Sequence, residues 1–472
     1  MSQMDEILYN LRQIDGEVTS DIIKDLISGH AADRARMIKL YERYKASSEG
    51  VPIFSRPVPD YEKVNNKLNN DFFSEIIDTK TGYFMGKPIV YSVDQEAIGA
   101  EPADKTLQDF SIVNNIEDLD SETSKMAAIT GLGSRLLYIG SDGGERVMNV
   151  PPWECIFVYD RSINEPQYAL RYYPITVKQG DKSEERIRVE WYDSQTVTFY
   201  IEDQGVFVLD ESEPSNPKPH MFDGIPLIGF LNNEEQQGDV EKALSLIDAY
   251  DRSLSDVNSE IESFRLAYML FYGMVPDAET LEACKQTGAF GIDNPEGAKI
   301  EFLTKQINDT AIENHLNRLE DNILRFSKSV NFSDEQFGGN ISGVAMKFKL
   351  FALESKCITS ERKFTAALRQ QFKLLVSAWN KKGLSIDYKD IWFQFKRNFP
   401  LNLLDEAQTS ATLKGLVSEE TRLSLLSFVD DIAFEKEMME REAIELDALG
   451  GLEDESRGGT DTSRTRSGNE PE

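Results

Sequence analysis

Apolar residues recur along this chain with more than one period, and each period predicts a different element. Residues 20–46 carry apolar positions at helical spacing, with Thr19 or Ser20 as N-cap. A proline-rich link, VPIFSRPVPDY, follows at 51–61. The stretch 65–85 reads as a second helix that stops at Gly86-Lys87-Pro88, and the strand IVYSV begins at 89. Helices are expected at 103–114 and 116–130. From 134 to 230 the period shortens to two. The runs SRLLYIG, RVMNV, ECIFVYD, YALRYYPITV, RIRVEWYD, TVTFYIED and GVFVLDE are β-branched or aromatic, and turn residues such as Gly143-Gly144 separate them. That is an antiparallel β region.

Over 235–268 the spacing becomes alternately three and four, through Val240, Ala243, Ile247, Tyr250, Leu254, Val257, Ile261, Phe264 and Tyr268. A sustained period of 3.5 predicts one long helix with a narrow seam, roughly 50 Å in length. A second seam through Ile312, Leu316, Leu319, Ile323, Phe326 and Val330 predicts another of roughly 30–40 Å. Between them, 270–305 holds a short helix (DAETLEACKQ) and a strand (AKIEFL). A long helix over about 343–382, an aromatic strand at 388–395 and helices at 403–414 and 418–448 complete the fold, the last two divided by Gly415 and capped by Ser418. Residues 451–472 have no apolar former after Leu452 and read as a disordered tail. No internal repeat is visible.

The composition, 472 residues with 40% hydrophobic and 10% aromatic, belongs to a core-forming globular chain of several substructures. No apolar run nears the eighteen or so residues that span a bilayer; the cluster LAYMLFYGMV at 266–275 is too short. The opening MSQMDEILYN does not read as a secretion signal. Cys155, Cys284 and Cys357 show no paired spacing, as buried thiols in a reducing compartment would. The charge changes the picture: 82 acidic against 51 basic residues give a net −31. Such a surface repels DNA over most of its area, which serves solubility or lets the chain lie near DNA without capturing it.

Candidate chemistry is sparse. His30, His220 and His315 lie far apart and read as surface or helix-face residues. No HExxH, CxxC or GxSxG occurs, so zinc hydrolysis and Ser-His-Asp catalysis have no footing, and neither catalytic nor metal residues are assigned. The acidic groups Asp118/Asp120/Glu122 and Asp430/Asp431 read as solvated faces. The glycine-rich stretch DEQFGGNISGVAMKFK at 334–349 fails as a phosphate cradle. A Walker loop needs Lys and Ser/Thr directly after its last glycine and a strand before it. Here the first lysine after Gly343 is Lys347, and a helix precedes the loop. The loop reads instead as a pliable connector, with Ser342 capping the next helix. No cofactor and no enzymatic activity are expected.

In this order of parts the chain resembles the portal proteins of tailed bacteriophages, the siphophage-type head-to-tail connectors. The resemblance rests on NNKLNNDFFSEIIDTKTGYFMGKPIVY at 65–91, GIPLIGFLNNEEQQGDVEKALSLIDAYDRSLSD at 224–256 and FGGNISGVAMKFKLFALESKC at 337–357. It extends over about 20–450. It implies an α+β portal fold: a mixed wing over 1–234, stem helices at 235–269 and 306–331 around a small α/β clip at 270–305, and a tunnel loop at 332–342. The long helix and a returning wing strand would occupy 343–402, a helical crown 403–450 and the disordered tail 451–472.

The same resemblance implies a homo-oligomeric ring, of twelve subunits in the virion, at one capsid vertex. Double-stranded DNA would pass through it non-specifically. The terminase large subunit, capsid and scaffolding proteins and a head-completion adaptor would be its partners. Assembly would take place in the host cytoplasm, and no membrane is involved. Ser333, Asp334, Glu335, Gln336, Phe337, Gly338, Gly339, Asn340, Ile341 and Ser342 would face DNA, with Lys347 and Lys349 as weak phosphate contacts or merely solubilising residues. Leu246, Leu254, Val257, Ile261, Phe264, Leu319, Ile323 and Phe326 would pack subunits together in the stem, and Leu244 and Leu324 would add to them. Asp277, Glu279, Phe290 and Phe302 would form the clip's docking surface.

Two rival readings stand beside this one. Another ring-forming head–tail adaptor fits poorly, because such proteins are usually much shorter. A nucleotide-driven translocase or nuclease lacks its Walker loop or its clustered metal carboxylates here. The packaging motor is expected to be a separate protein.

Overall fold

A computed structural model describes residues 7, 8, 11, 18–58, 64–160, 165–179, 182–264, 268–272, 275–279, 281, 282, 299–303, 309–331, 343–398, 403–426, 429, 432 and 434–442. Helix α1 (Ser20–Tyr44) starts where the Thr19 hydroxyl accepts from the Ile22 amide. Helix α2 (Phe72–Phe84) starts where the Asp71 carboxylate accepts from the Ser74 amide. Strand β1 (Val90–Val93), α3 (Ala100–Asn114) and α4 (Ile116–Thr130) lead into the β region.

That region is antiparallel, as the alternation predicts. Strands β2 (Leu132–Ile139) and β3 (Glu145–Val150) pair with β10 (Leu227–Leu231) in a three-stranded sheet of order β10-β2-β3. Strands β4 (Cys155–Tyr159), β5 (Pro166–Gln179), β6 (Lys182–Tyr192), β7 (Thr196–Asp203) and β8 (Val206–Leu209) follow one another in a larger sheet, and the short β9 (Lys218–Pro219) pairs with β7. Alternate residues of this sheet enter two different cores. Ile156, Val158, Leu170, Val189 and Trp191 pack with Ile22, Ile23 and Leu26 of α1. Cys155, Ala169, Tyr192 and Val197 pack with Leu136, Val150 and Leu227 of the smaller sheet.

The hairpin follows: α5 (Leu244–Phe264), a ribbon of β11 (Tyr268–Tyr272) and β12 (Lys299–Leu303), and α6 (Asp309–Ser327). Helix α7 (Gly343–Lys381) then runs for 39 residues, and β13 (Ile391–Gln394) returns to pair with β1. The chain divides into two compact units, 1–341 with 345–398 and 342–344 with 399–472. In the second, α8 (Leu403–Leu413) and α9 (Glu419–Ser424) meet where an Arg422 N–H donates to the Ser410 hydroxyl.

Several expectations need correction. Residues 64–70 are extended, and only 72–84 are helical. The asparagine-rich run 65–70 is a poor helix former, and its backbone amides are taken by α5, as described below. The helix expected over 235–268 has a tight turn at Glu241–Ala243 and a helix at Leu244–Phe264, about 30 Å in length. Tyr268, which continues the seam in number, starts a strand instead. Aromatic residues at 268, 271 and 272 favour the pleated ribbon. Val330 lies beyond the end of α6. The helix expected over 418–448 breaks after Ser424. The amides at 425, 426 and 429 bond three residues back, and Leu423, Leu426 and Val429 share one buried cluster. His220 is buried, its ring Nε2 within 3.1 Å of the Asp193 carbonyl oxygen. Asp120 is buried as well rather than solvated.

Candidate functional site: the root of the helical hairpin

The turn before α5 fits against the end of α4 with no room to spare. Gly131 adopts a left-handed φ of +93°, and a side chain there would fall 2.0 Å from the Gln236 carbonyl oxygen. A side chain at Gly238 would fall 2.2 Å from the Ile129 carbonyl oxygen. Amides of Asn232 and Asp239 donate to the Gly131 and Ala128 carbonyls at 3.0 and 2.7 Å, fixing the turn to the end of α4. Arg36 of α1 reaches Glu241 at 2.7 Å, and Arg43, two turns on, pairs with Asp248 of α5.

Under this turn lies a buried ionic node. Lys80 of α2, 2% exposed, places its Nζ 2.8 Å from the Asp239 carboxylate, 2.7 Å from the Asn232 Oδ1 and 2.8 Å from the Ser360 Oγ. Lys356 of α7 lies 3.3 Å from Asp239 and donates to the Ser327 carbonyl at the end of α6. Burial alone would raise the Asp239 carboxyl, but the two ammoniums outweigh it and hold the group at about 2. Burial pushes the Lys356 ammonium below the ordinary lysine range, against the pull of Asp239. The node therefore joins α2, the start of α5, the end of α6 and α7 through one carboxylate.

A second buried cation joins β2, α4 and α7. Arg135 on β2 donates to Asp120 at 2.7 Å, to the Thr123 hydroxyl at 2.9 Å and to Gln371 of α7 at 3.2 Å, and its guanidinium lies 4.6 Å from the Phe230 ring centroid. Tyr91 donates to the other Asp120 oxygen at 2.6 Å. Burial raises the Asp120 carboxyl although Arg135 opposes it.

Along α5 the extended segment 64–70 is held by side chains. Amides of Asn66, Leu68 and Asn70 donate to Ser259 Oγ, Ser255 Oγ and Asp251 Oδ1 at 2.9, 2.9 and 2.8 Å. The match has a geometric cause. Four residues of helix rise about 6.0 Å and two of a strand about 6.6 Å, so acceptors at every fourth helical position meet alternate strand amides.

The residues singled out in the sequence distribute unevenly around this root. Leu319 and Ile323 are buried within the chain, at 8% and 0% exposure, and Ile323 packs with Ile76, Ile77, Val240 and Ile247. Leu246 is half-buried against the same cluster, as is Leu244. Leu254 and Val257 are half-buried on α5, and Leu324 on α6. Ile261 and Phe326 stand out at 55% and 54% exposure. Asp277 and Glu279 are exposed, and Phe302 pairs with Met269 across the ribbon. Lys349 is exposed on α7 and Lys347 lies in its first turns. The loop residues Ser333 to Ser342, the Phe290 position and the side chains of Phe264, Phe302 and Lys347 lie outside the described residues.

The reading from sequence did not single out Lys80, Asp239, Lys356 or the Asp251-Ser255-Ser259 row. The row left a trace in its strict spacing of four. Lys80 left one too, as a lysine on the apolar stripe of Phe73, Ile76, Ile77 and Phe84. Among the described residues no cluster of His, Cys, Asp and Glu suits a metal ion, and no helix is long and apolar enough to cross a membrane.

The model of the family described as "Phage portal protein, SPP1 Gp6-like" matches residues 23–447. The portal protein of Bacillus phage SPP1 is 27% identical over 425 residues, which cover 85% of this chain and 81% of that one. The portal protein of Clostridium phage phiCD119 is 25% identical over 433 residues, 87% of this chain and 93% of that one. A match that spans the antiparallel sheets, the hairpin and α7 in order is one of whole architecture, and the chain belongs to the phage portal protein family.

Proposed function

We propose that this chain assembles into a ring at one capsid vertex and that the ring is the channel for DNA packaging and ejection. Portal function follows from the family. The finer reading assigns 1–234 and the returning strand to the wing, the hairpin to the stem, 270–305 to the clip, 332–342 to the tunnel loop and 403–450 to the crown. In it the clip meets the terminase large subunit during packaging and a head-completion adaptor afterwards, while the wing meets capsid and scaffolding proteins. The product is a component of the virion, assembled in the host cytoplasm.

The observation that carries the ring is the set of apolar side chains exposed on the hairpin helices and on α7 among the described residues. Among the described residues Ile261 and Phe326 on the hairpin stay more than half exposed, and Phe348 and Phe351 on α7 are exposed at 77% and 70%. Burying four such residues between neighbours would contribute on the order of 1.5–3 kcal/mol each. The net charge of −31 suits a channel that DNA must traverse without being captured.

Native mass spectrometry with negative-stain imaging of the purified protein tests this reading. A ring of about twelve subunits with a central hole, the closed symmetry such contacts generate, is the expected result. A protein that stays monomeric at micromolar concentration would remove the channel.

A further inference from the structure

Charge is unevenly spread along this chain. Residues 343–398 hold twelve Lys and Arg against four Asp and Glu, in a protein whose totals are 51 and 82. Much of that positive charge is answered by the chain's own wing. Lys373 pairs with Glu165 at 2.7 Å, Lys381 with Asp223 at 2.6 Å, Lys382 with Glu145 at 2.7 Å, and Lys363 with Glu234. Arg362 and Arg369, two turns apart, remain on the exposed face of α7.

Arg369 also lines a groove of about 600 Å³ between α7 and β13, with Thr365, Lys389, Trp392, Phe393 and Gln394. Three acidic groups lie close by: Glu361, engaged by Arg397 at 2.6 Å, Asp387, 3.7 Å from Lys389, and Asp390, whose carboxylate accepts from the Asp387 amide at 3.3 Å. Trp392 is 63% exposed. Strand β13 pairs only with β1 among the described residues. The pairing register, with the Asp94 amide donating to the Asp390 carbonyl at 2.8 Å, makes Ser92–Trp392 and Val90–Gln394 the hydrogen-bonded pairs. By that alternation the N–H and C=O of Phe393 turn away from β1, toward the open edge.

An open strand edge beside an exposed tryptophan and a cationic rim is the geometry that receives an added strand. We propose that an extended acidic segment of a second copy of this chain enters the groove and pairs with β13, its carboxylates meeting Arg369 and Lys389. The second copy is the occupant because its surface, at net −31, is acidic and complements this basic rim. The inference rests on the ring reading, which supplies a neighbour for each groove.

Hydrogen exchange of the full chain, read at single residues by fragmentation mass spectrometry in dilute monomer and in ring, tests it. The Phe393 amide is expected to exchange quickly in the monomer and at least tenfold more slowly in the ring, while the Trp392 and Gln394 amides stay slow in both. The double variant Arg369→Glu, Lys389→Glu alters two exposed side chains. It is expected to reduce the ring fraction several-fold at equal monomer melting temperature. A ring in which Phe393 exchanges as fast as in the monomer overturns the proposed occupant while leaving the ring intact. Protection that arises only once capsid-shell proteins are added also overturns it, assigning the edge to them. A chain that forms no ring removes the ring reading and this occupant together.

Discussion

At the residue scale, the hairpin root depends on one carboxylate shared by two lysines. Replacing Asp239 by Asn leaves two buried ammoniums without a counter-charge, a change that typically costs about 3–5 kcal/mol. Urea unfolding of the Asp239→Asn chain is expected to shift by that amount. A shift under about 1 kcal/mol would mean that the node is hydrated and carries little of the fold. The same group sets an acid limb. Its folded pKa of about 2 lies below the ordinary carboxylate value of 3.8, so its contribution is present above pH 4. It is lost as pH falls from about 4 through 2. Stability measured across that window should fall in the wild type and flatten in Asp239→Asn. Gly238 is a separate matter of space: Gly238→Ala places a methyl against the Ile129 carbonyl, and lower melting is expected from it without any change in the acid limb.

At the scale of elements, the side chains that clasp 64–70 make a specific prediction. Ser255→Ala and Ser259→Ala together remove two acceptors from strand amides, at about 1 kcal/mol each. Faster amide exchange at Asn66 and Leu68, with Asn70 still held by Asp251, is the expected signature. Uniform exchange across 64–70 would show that packing rather than the clasp holds the strap. The hairpin itself shows where periodicity misleads. A seam counted from Val240 to Tyr268 merges a tight turn, a helix and the start of a strand, because a run of threes and fours carries no information about where backbone hydrogen bonds stop. The break after Ser424 was illegible for the same reason: its apolar residues fit either a continuous helix or turns bonded three residues back.

For the molecule as a whole, exposure separates residues that serve folding from those free to serve assembly. Ile261→Asp and Phe326→Asp alter side chains that are already more than half exposed. Monomer stability is expected to change by under about 1 kcal/mol, while the ring fraction in native mass spectrometry falls sharply. Leu246→Asp is different, since Leu246 packs against the root cluster with Ile247 and Ile323. It is expected to destabilise the chain by about 2–3 kcal/mol before assembly is considered. Rings that persist in Ile261→Asp with Phe326→Asp would move the subunit contact away from the hairpin.

The sequence by itself determined the elements whose signals are local. Thr19 and Ser418 at helix starts, the two-residue alternation from Leu132 to Leu209, and the run into α7 each follow from backbone propensity and side-chain period. Three local stretches, at 65–91, 224–256 and 337–357, and their order carried the resemblance to the portal family. Tertiary structure decided the rest. Lys80, Asp239 and Lys356 are 159 and 117 residues apart in sequence, and no local rule pairs charges at that range. Asp120, on α4, looked solvated because its neighbours Asp118 and Glu122 are acidic; its burial follows from Arg135 arriving on strand β2. The edge of β13 that has no strand partner among the described residues likewise exists only once β1, some 300 residues earlier, has taken the other side. Local interactions write themselves into spacing, whereas a buried charge or a free strand edge is defined by what the remainder of the chain brings to it.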